Sequence, residues 1–220
     1  MVQIMIQSVQ WTSLSRLRTG PDLGDSDCQV VAVMPYLKRA SARRAAELMV
    51  RRAGAPLMVL AIHDDLRAGP VAVWNSALRC IKSPLMIYCA EDAFAGRYWL
   101  RFALQAFHQQ PGTGLLAFND GKWFGQLAAF GLVRRSWLDP LYGGLLFHPG
   151  YTQHYGDTEL TLIARQQQVL AYHPHALLVE IDHDKDGRMV NQLDHAEFLR
   201  RAAGGFDKLV TDPSILASVA

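Results

Sequence analysis

Leu57-Met58-Val59-Leu60-Ala61-Ile62-His63-Asp64-Asp65 is the stretch on which the fold turns. An unbroken apolar run this short is too brief for an ordinary helix and reads as a strand buried on both faces. Two carboxylates follow it at once. The same unit recurs on either side. Upstream, residues 29–34 form a β-branched run closed by Pro35. Residues 38–53 then carry helix formers, with Ala42, Ala45, Ala46, Met49 and Val50 on one stripe and a stop at Gly54-Ala55-Pro56. Downstream, the Gly69-Pro70 turn leads into a helical pattern over residues 71–82, and residues 85–89 form a third buried strand that runs into Glu91-Asp92. Short apolar strands alternating with helices require crossover connections, hence a parallel sheet. Ligands of such sheets bind beyond the carboxyl ends of the strands, where these acids stand.

The second half continues less regularly. Residues 97–109 read as a helix, 114–118 as a strand, 127–133 as another strand, and the chain then enters Gly- and aromatic-rich loops through Tyr155. Residues 157–168 read as a helix with Leu160, Ile163 and Ala164 inward. Residues 176–181 are a last strand, followed by an acidic loop and a helix around 195–203. Residues 1–27 read as a poorly ordered extension or an added edge element, 28–205 as the folded domain and 206–220 as a tail.

Composition excludes more than it indicates. Of 220 residues, 50% are hydrophobic and 19% charged, which is enough apolar content to fold. Twenty-two basic against 20 acidic residues leave a net charge of +2, giving no electrostatic case for nucleic acid as a partner. Three cysteines without a C-x-x-C pair suit a reducing cytoplasm. Neither a spanning apolar segment nor a signal peptide is evident, and no Walker loop, G-x-G-x-x-G or G-x-S-x-G elbow is present.

Several groups could carry chemistry. Glu91-Asp92 is a hard-cation site for magnesium or manganese, or else a solvated pair with Asp92 capping the next helix. Asp157 is either an N-cap or a general base at a helix start, beside Trp123, Phe124, Phe147, His148, Tyr151 and His154. Glu159 complements the helix dipole. Asp182 to Gly187 matches the first half of a calcium loop, but Leu193 occupies the position of the bidentate Glu. His173-Pro174-His175 reads as a loop before the last strand, with no nearby Cys to complete a tetrahedral set.

The order of these pieces resembles family 2 glycosyltransferases of the GT-A nucleotide-sugar fold. Pro35-Tyr36 with Arg39, His63-Asp64-Asp65, Asn75, Glu91-Asp92, residues 156–165 and the strand into Asp182-His183 fall in the family's sequence. The resemblance implies an α/β fold: one Rossmann-type domain whose mixed, mostly parallel central sheet is flanked by helices. It implies an inverting, metal-dependent transfer of a sugar from a nucleotide diphosphate donor, a UDP-sugar by preference. The acceptor would be a carbohydrate or glycolipid hydroxyl in surface polysaccharide synthesis. Carried over, Pro35, Arg39, Asp64, Asp65, Asn75 and Glu91 would bind donor, and Asp92 and His183 the Mg2+ or Mn2+. Asp157 would be the catalytic base. The chain is short for an enzyme holding both substrates, so a partner chain or a membrane-bound acceptor is expected to supply the rest, through homo-oligomerisation or peripheral membrane association. Two rivals remain open. A nucleotidyltransferase would carry a Gly- and Lys-rich first loop, whereas residues 35–40 contain no glycine. A degenerate sugar- or metal-binding module would explain Trp74 before Asn75, where the family often has Arg, and Ala90 in the acidic motif.

Overall fold

The structure is a computed structural model describing residues 7–25, 27–181 and 191–217. Its centre is an eight-stranded sheet in the order β1-β3-β2-β4-β7-β6-β8-β5. The strands are β1 (Gln7–Ser13), β2 (Val30–Tyr36), β3 (Leu57–His63), β4 (Leu85–Tyr88), β5 (Ala93–Ala95), β6 (Leu115–Asn119), β7 (Gly131–Arg134) and β8 (Leu170–Glu180). The helices are α1 (Leu14–Leu17), α2 (Arg39–Arg52), α3 (Pro70–Cys80), α4 (Trp99–Gln109), α5 (Arg135–Leu138), α6 (Gly156–Gln166), α7 (Gln192–Ala203), α8 (Gly205–Lys208) and α9 (Pro213–Ala217).

Strands β1, β3, β2 and β4 run parallel, β7 is antiparallel between β4 and β6, and β6 and β8 restore the first direction. Alternation along β2 builds two cores. Val31 and Val33 pack with α3 and α6 on one face, while Val30, Ala32 and Met34 pack with α2 and α4 on the other. Pro35 lies in β2 beyond the last residue paired with β4, so the missing N–H costs no bond on that side. This is the α/β, mixed and mostly parallel architecture expected.

Of the two readings of the first 27 residues, the added edge element is the one seen: residues 7–13 form an edge strand paired with β3, and Leu14 and Leu17 are fully buried. Three local readings are corrected. No helix follows Asp92 directly, because β5 intervenes and pairs antiparallel with β8; Asp92 is therefore no helix cap. Asp157 is not an N-cap either, since Tyr155 precedes α6 in the left-handed region (φ 69°) and Asp157 already lies inside the helix. Finally, β8 begins at Leu170 and contains His173-Pro174-His175. A register break opposite Ala117 and Asn119 accommodates the proline, whose carbonyl accepts from Asn119 Nδ2 at 2.8 Å, and both imidazoles pack against Phe102.

Candidate active site

Because β1, β3, β2, β4, β6 and β8 share a direction, their carboxyl ends gather at one edge of the sheet. Most of the acids singled out in the sequence lie on the loops there, and each has a distinct job.

Asp64 is buried and shapes the loop after β3. Its Oδ1 accepts from the Ala68 N–H and its Oδ2 from the Gly69 N–H, both at 2.9 Å. Gly69 needs to be glycine: its φ is +86°, and a Cβ there would stand 2.5 Å from the Thr152 carbonyl oxygen. Asp65 faces outward and is held by Ser15, whose N–H donates at 3.0 Å and whose hydroxyl also donates. Glu91 fastens the neighbouring loop, its Oε2 accepting from the N–H groups of Leu37 (3.2 Å) and Lys38 (2.8 Å). Burial raises the Glu91 pKa, against the lowering effect of those two amides. Arg39, the first residue of α2, donates to the Tyr36 hydroxyl at 2.9 Å and lies 3.5 Å over the Trp11 ring, while Tyr36 stacks on His63. Pro35, Arg39 and Glu91 thus meet at the end of β2. Asp64 is tied to it through its N–H on the Tyr36 carbonyl (3.1 Å), and Asp65 turns away to Ser15, just past the end of β1.

Asn75 points elsewhere. Its Oδ1 accepts from Leu146 (3.1 Å) and Phe147 (3.0 Å), and its Nδ2 donates to the Phe147 carbonyl at 2.9 Å. It pins a distant loop against α3. Beside it, Trp74 is core: its Nε1 donates to the Val33 carbonyl, and its ring meets Tyr88 and Phe147 edge-on.

A second group forms further along the edge. The Asp92 carbonyl accepts from Ile181 at 3.1 Å, and Ala93 is the register partner of Glu180, so Asp92 and Glu180 flank the same end of the β5–β8 ladder. Asp157 completes the group from α6. Desolvation pushes its pKa up to about 6, against the lowering bond from the Thr158 N–H at 2.8 Å, and the Glu180 charge adds to the rise. Behind Asp157 stands Tyr88, whose hydroxyl donates to the Ala128 carbonyl at 2.6 Å and whose pKa is raised by burial and by Asp157. Gly131 makes room for that ring, since a Cβ there would lie 2.5 Å from the Tyr88 hydroxyl.

His183 and the acidic segment 182–187 lie outside the described residues. Among the described residues, no three His, Cys, Asp or Glu side chains come together in a way that could hold a metal ion. Of the aromatic wall expected beside Asp157, Phe147 lies against Gly156. Phe147 and Tyr151 are buried, Trp123 and Phe124 are exposed on the β6–β7 loop, and His154 accepts from the Asn191 N–H. Two acids escaped sequence reading, Glu180 at the end of β8 and Asp120 after β6. Both follow apolar runs, the signal that identified Asp64 and Asp92. Glu159, expected to serve the helix dipole, is instead fully buried against Arg201.

No protein-family model matches the sequence. No curated protein matches it. Solved structures do match. The mannosyltransferase PcManGT of Pyrobaculum calidifontis, solved with GDP-Man and Mn2+, is similar with a TM-score of 0.57 at 17% identity, over 86% of this chain and 66% of that one. This chain thus spans just under two thirds of that protein. Glucosyl-3-phosphoglycerate synthase of Mycobacterium tuberculosis, solved with Mn2+ and UDP-glucose, is similar with a TM-score of 0.56 at 10% identity, over 94% and 88%. The same enzyme with phosphoglyceric acid also bound gives 0.56 at 9% identity, over 96% and 90%. The chain has the GT-A fold of nucleotide-sugar glycosyltransferases.

Proposed function

We propose that this chain transfers a sugar from a nucleoside diphosphate sugar, a UDP-sugar in the first instance, to a hydroxyl of a carbohydrate or glycolipid acceptor, with inversion and in the cytoplasm. The observation that carries the proposal is Asp157. A half-buried carboxylate at the ligand-binding edge, with its pKa pushed up to about 6, is poised to accept a proton near neutral pH. Inversion in one displacement needs one such base on the sugar face opposite the leaving diphosphate, and no covalent intermediate. The donor class is supported by the GT-A fold and by what the similar structures bind.

On the donor side, Pro35, Asp64 and Glu91 shape the loops around the base and ribose, with Arg39 and Asp65 on their outer face and Asn75 steadying α3 behind them. Asp92 offers one hard carboxylate oxygen donor. Magnesium and manganese sites in phosphate chemistry often take one or two carboxylates and complete their shell with water and phosphate oxygens, which fits this modest donor set. Asp92 would hold the ion, with His183 as a second ligand. When bound, a divalent ion supplies neutralisation of the charge that develops on the departing diphosphate. Three free cysteines support a reducing compartment.

The experiment is turnover with a panel of nucleotide sugars and Mn2+, in the native chain and in Asp157→Asn. The substitution is expected to reduce transfer by at least 10²-fold, the lower range for lost general-base catalysis, while nucleotide affinity stays within about two-fold. Undiminished transfer by Asp157→Asn would remove Asp157 from the reaction.

A further inference from the structure

Four of the eight exposed large apolar side chains among the described residues stand on three loops at the ligand-binding edge. Leu37 is 49% exposed on the loop after β2, and Leu66 is 44% exposed after β3. Trp123 and Phe124 are 49% and 62% exposed after β6. Each loop also presents an exposed cation next to its apolar residue: Lys38, Arg67 and Lys122. The neighbouring acids are turned inward or engaged. Glu91 and Asp64 accept from backbone amides; Asp65, exposed and kept ionised by Ser15, partly offsets Arg67 two residues on; and Glu180 lies 3.6 Å from the Lys122 ammonium, which tempers that cation too.

The tips are held in place by buried carboxylates. Asp64 fixes residues 64–69, and Asp120 accepts from the N–H groups of Lys122 (2.9 Å) and Trp123 (2.8 Å). Strands β3 and β6 are separated in the sheet by β2, β4 and β7, so the outer tips lie about 19 Å apart at the usual strand spacing. Three separated points, each apolar and each beside a cation, make a broad footing rather than a pocket. Isolated exposed apolar residues need no explanation, but an apolar rim paired with cations on loop after loop does.

We infer that this edge seats on the surface of a bilayer containing anionic phospholipid. Leu37, Leu66, Trp123 and Phe124 enter the headgroup region, and Lys38 and Arg67 meet lipid phosphates. No described helix is long and apolar enough to cross a membrane. Seating does not depend on the transfer chemistry. Its consequence does rest on that reading: the acceptor hydroxyl is then presented from a lipid, at headgroup level, to Asp157.

The test is co-sedimentation of the full chain with phosphatidylcholine vesicles, with and without phosphatidylglycerol, at low and high salt. Binding is expected to the anionic vesicles, to weaken as salt rises, and to fall at least ten-fold in Leu66→Ser/Phe124→Ser. Arg67→Glu is expected to lose about five-fold or more. Both positions are exposed, and the thermal shift with UDP and Mn2+ is expected to survive both changes, which checks that the variants fold and separates the footing from the donor site. Absence of vesicle binding, equal binding to neutral vesicles, or binding indifferent to these substitutions overturns the inference. Quenching of Trp123 fluorescence by soluble oligosaccharides without vesicle binding also overturns it, and would make the rim a sugar platform. Failure of the transferase reading looks different: vesicle binding persists, but no nucleotide or nucleotide sugar binds or turns over.

Discussion

At the scale of the residue, Asp157, if it serves as the proposed base, couples function to stability with opposite signs. Its folded pKa of about 6 lies above its ordinary value of 3.8. The unfolded chain therefore releases the proton first, and the fold loses stability as pH rises from about 4 to about 6. Over the same interval the carboxylate becomes able to accept a proton. Asp157→Asn removes both effects. It is expected to be more stable than the native chain above pH 6, by an amount on the order of 1–3 kcal/mol, and no more stable at pH 4. Urea denaturation at the two pH values checks this, and the native rate should rise through pH about 6. Destabilisation by Asp157→Asn at pH 8 would show that the carboxylate is held by favourable bonds rather than strained by desolvation. The sequence revealed the acid and its helix, because acids after apolar runs and at helix starts are local signals. It could not reveal that Asn75 clamps Leu146 and Phe147, since that bond joins segments about seventy residues apart.

At the scale of the element, the least legible parts were those that depend on partners far along the chain. β1 reads as weak sequence on its own but is completed by the exposed edge of β3, and α1 then drops Leu14 and Leu17 into the core under α3. Leu14→Ala is expected to cost about 2–5 kcal/mol in urea denaturation, the range for a leucine removed from a packed interior. A cost below about 0.5 kcal/mol would show this segment to be peripheral. Helix α7 is held similarly. Arg201 forks onto Glu159 of α6 at 2.8 and 2.6 Å, and the hydroxyls of Tyr142 and Tyr151 donate to the same carboxylate. Burial lowers the Arg201 pKa, yet its bonds to Glu159 and Asp207 outweigh that and leave it raised. Arg201→Met strands a buried carboxylate and is expected to cost about 3–5 kcal/mol, whereas Glu159→Leu/Arg201→Met together should cost less. Additive losses would mean the pair is not coupled. Neither residue announces this in sequence, where Glu159 is an ordinary first-turn acid and Arg201 an ordinary last-turn base.

At the scale of the whole molecule, the parallel half was legible because each apolar strand ends in its own polar or turn signal: Pro35-Tyr36, Asp64-Asp65, Glu91-Asp92. Past β6 and β7 the second half was less legible, because β5 exists only through the last residues of β8 and the first half of β8 only through β6. The edge that results joins the loops after β2 and β3 to the Asp92–Glu180–Asp157 group, and the proposed function then predicts linked binding there. A nucleoside diphosphate present at a hundred times its dissociation constant should stabilise the fold by about 2.7 kcal/mol, or raise Tm by about 5–10 °C for a chain of this length. If Asp92 shares a divalent ion with the diphosphate, that shift appears with UDP or GDP only when Mn2+ or Mg2+ is present. It should vanish with a chelator and shrink in Asp92→Asn. The corresponding nucleosides, which lack the diphosphate, should shift Tm little with or without metal. A full shift in Asp92→Asn would move the ion to other ligands. No shift with any diphosphate and metal would leave the GT-A fold in place but remove the donor from it.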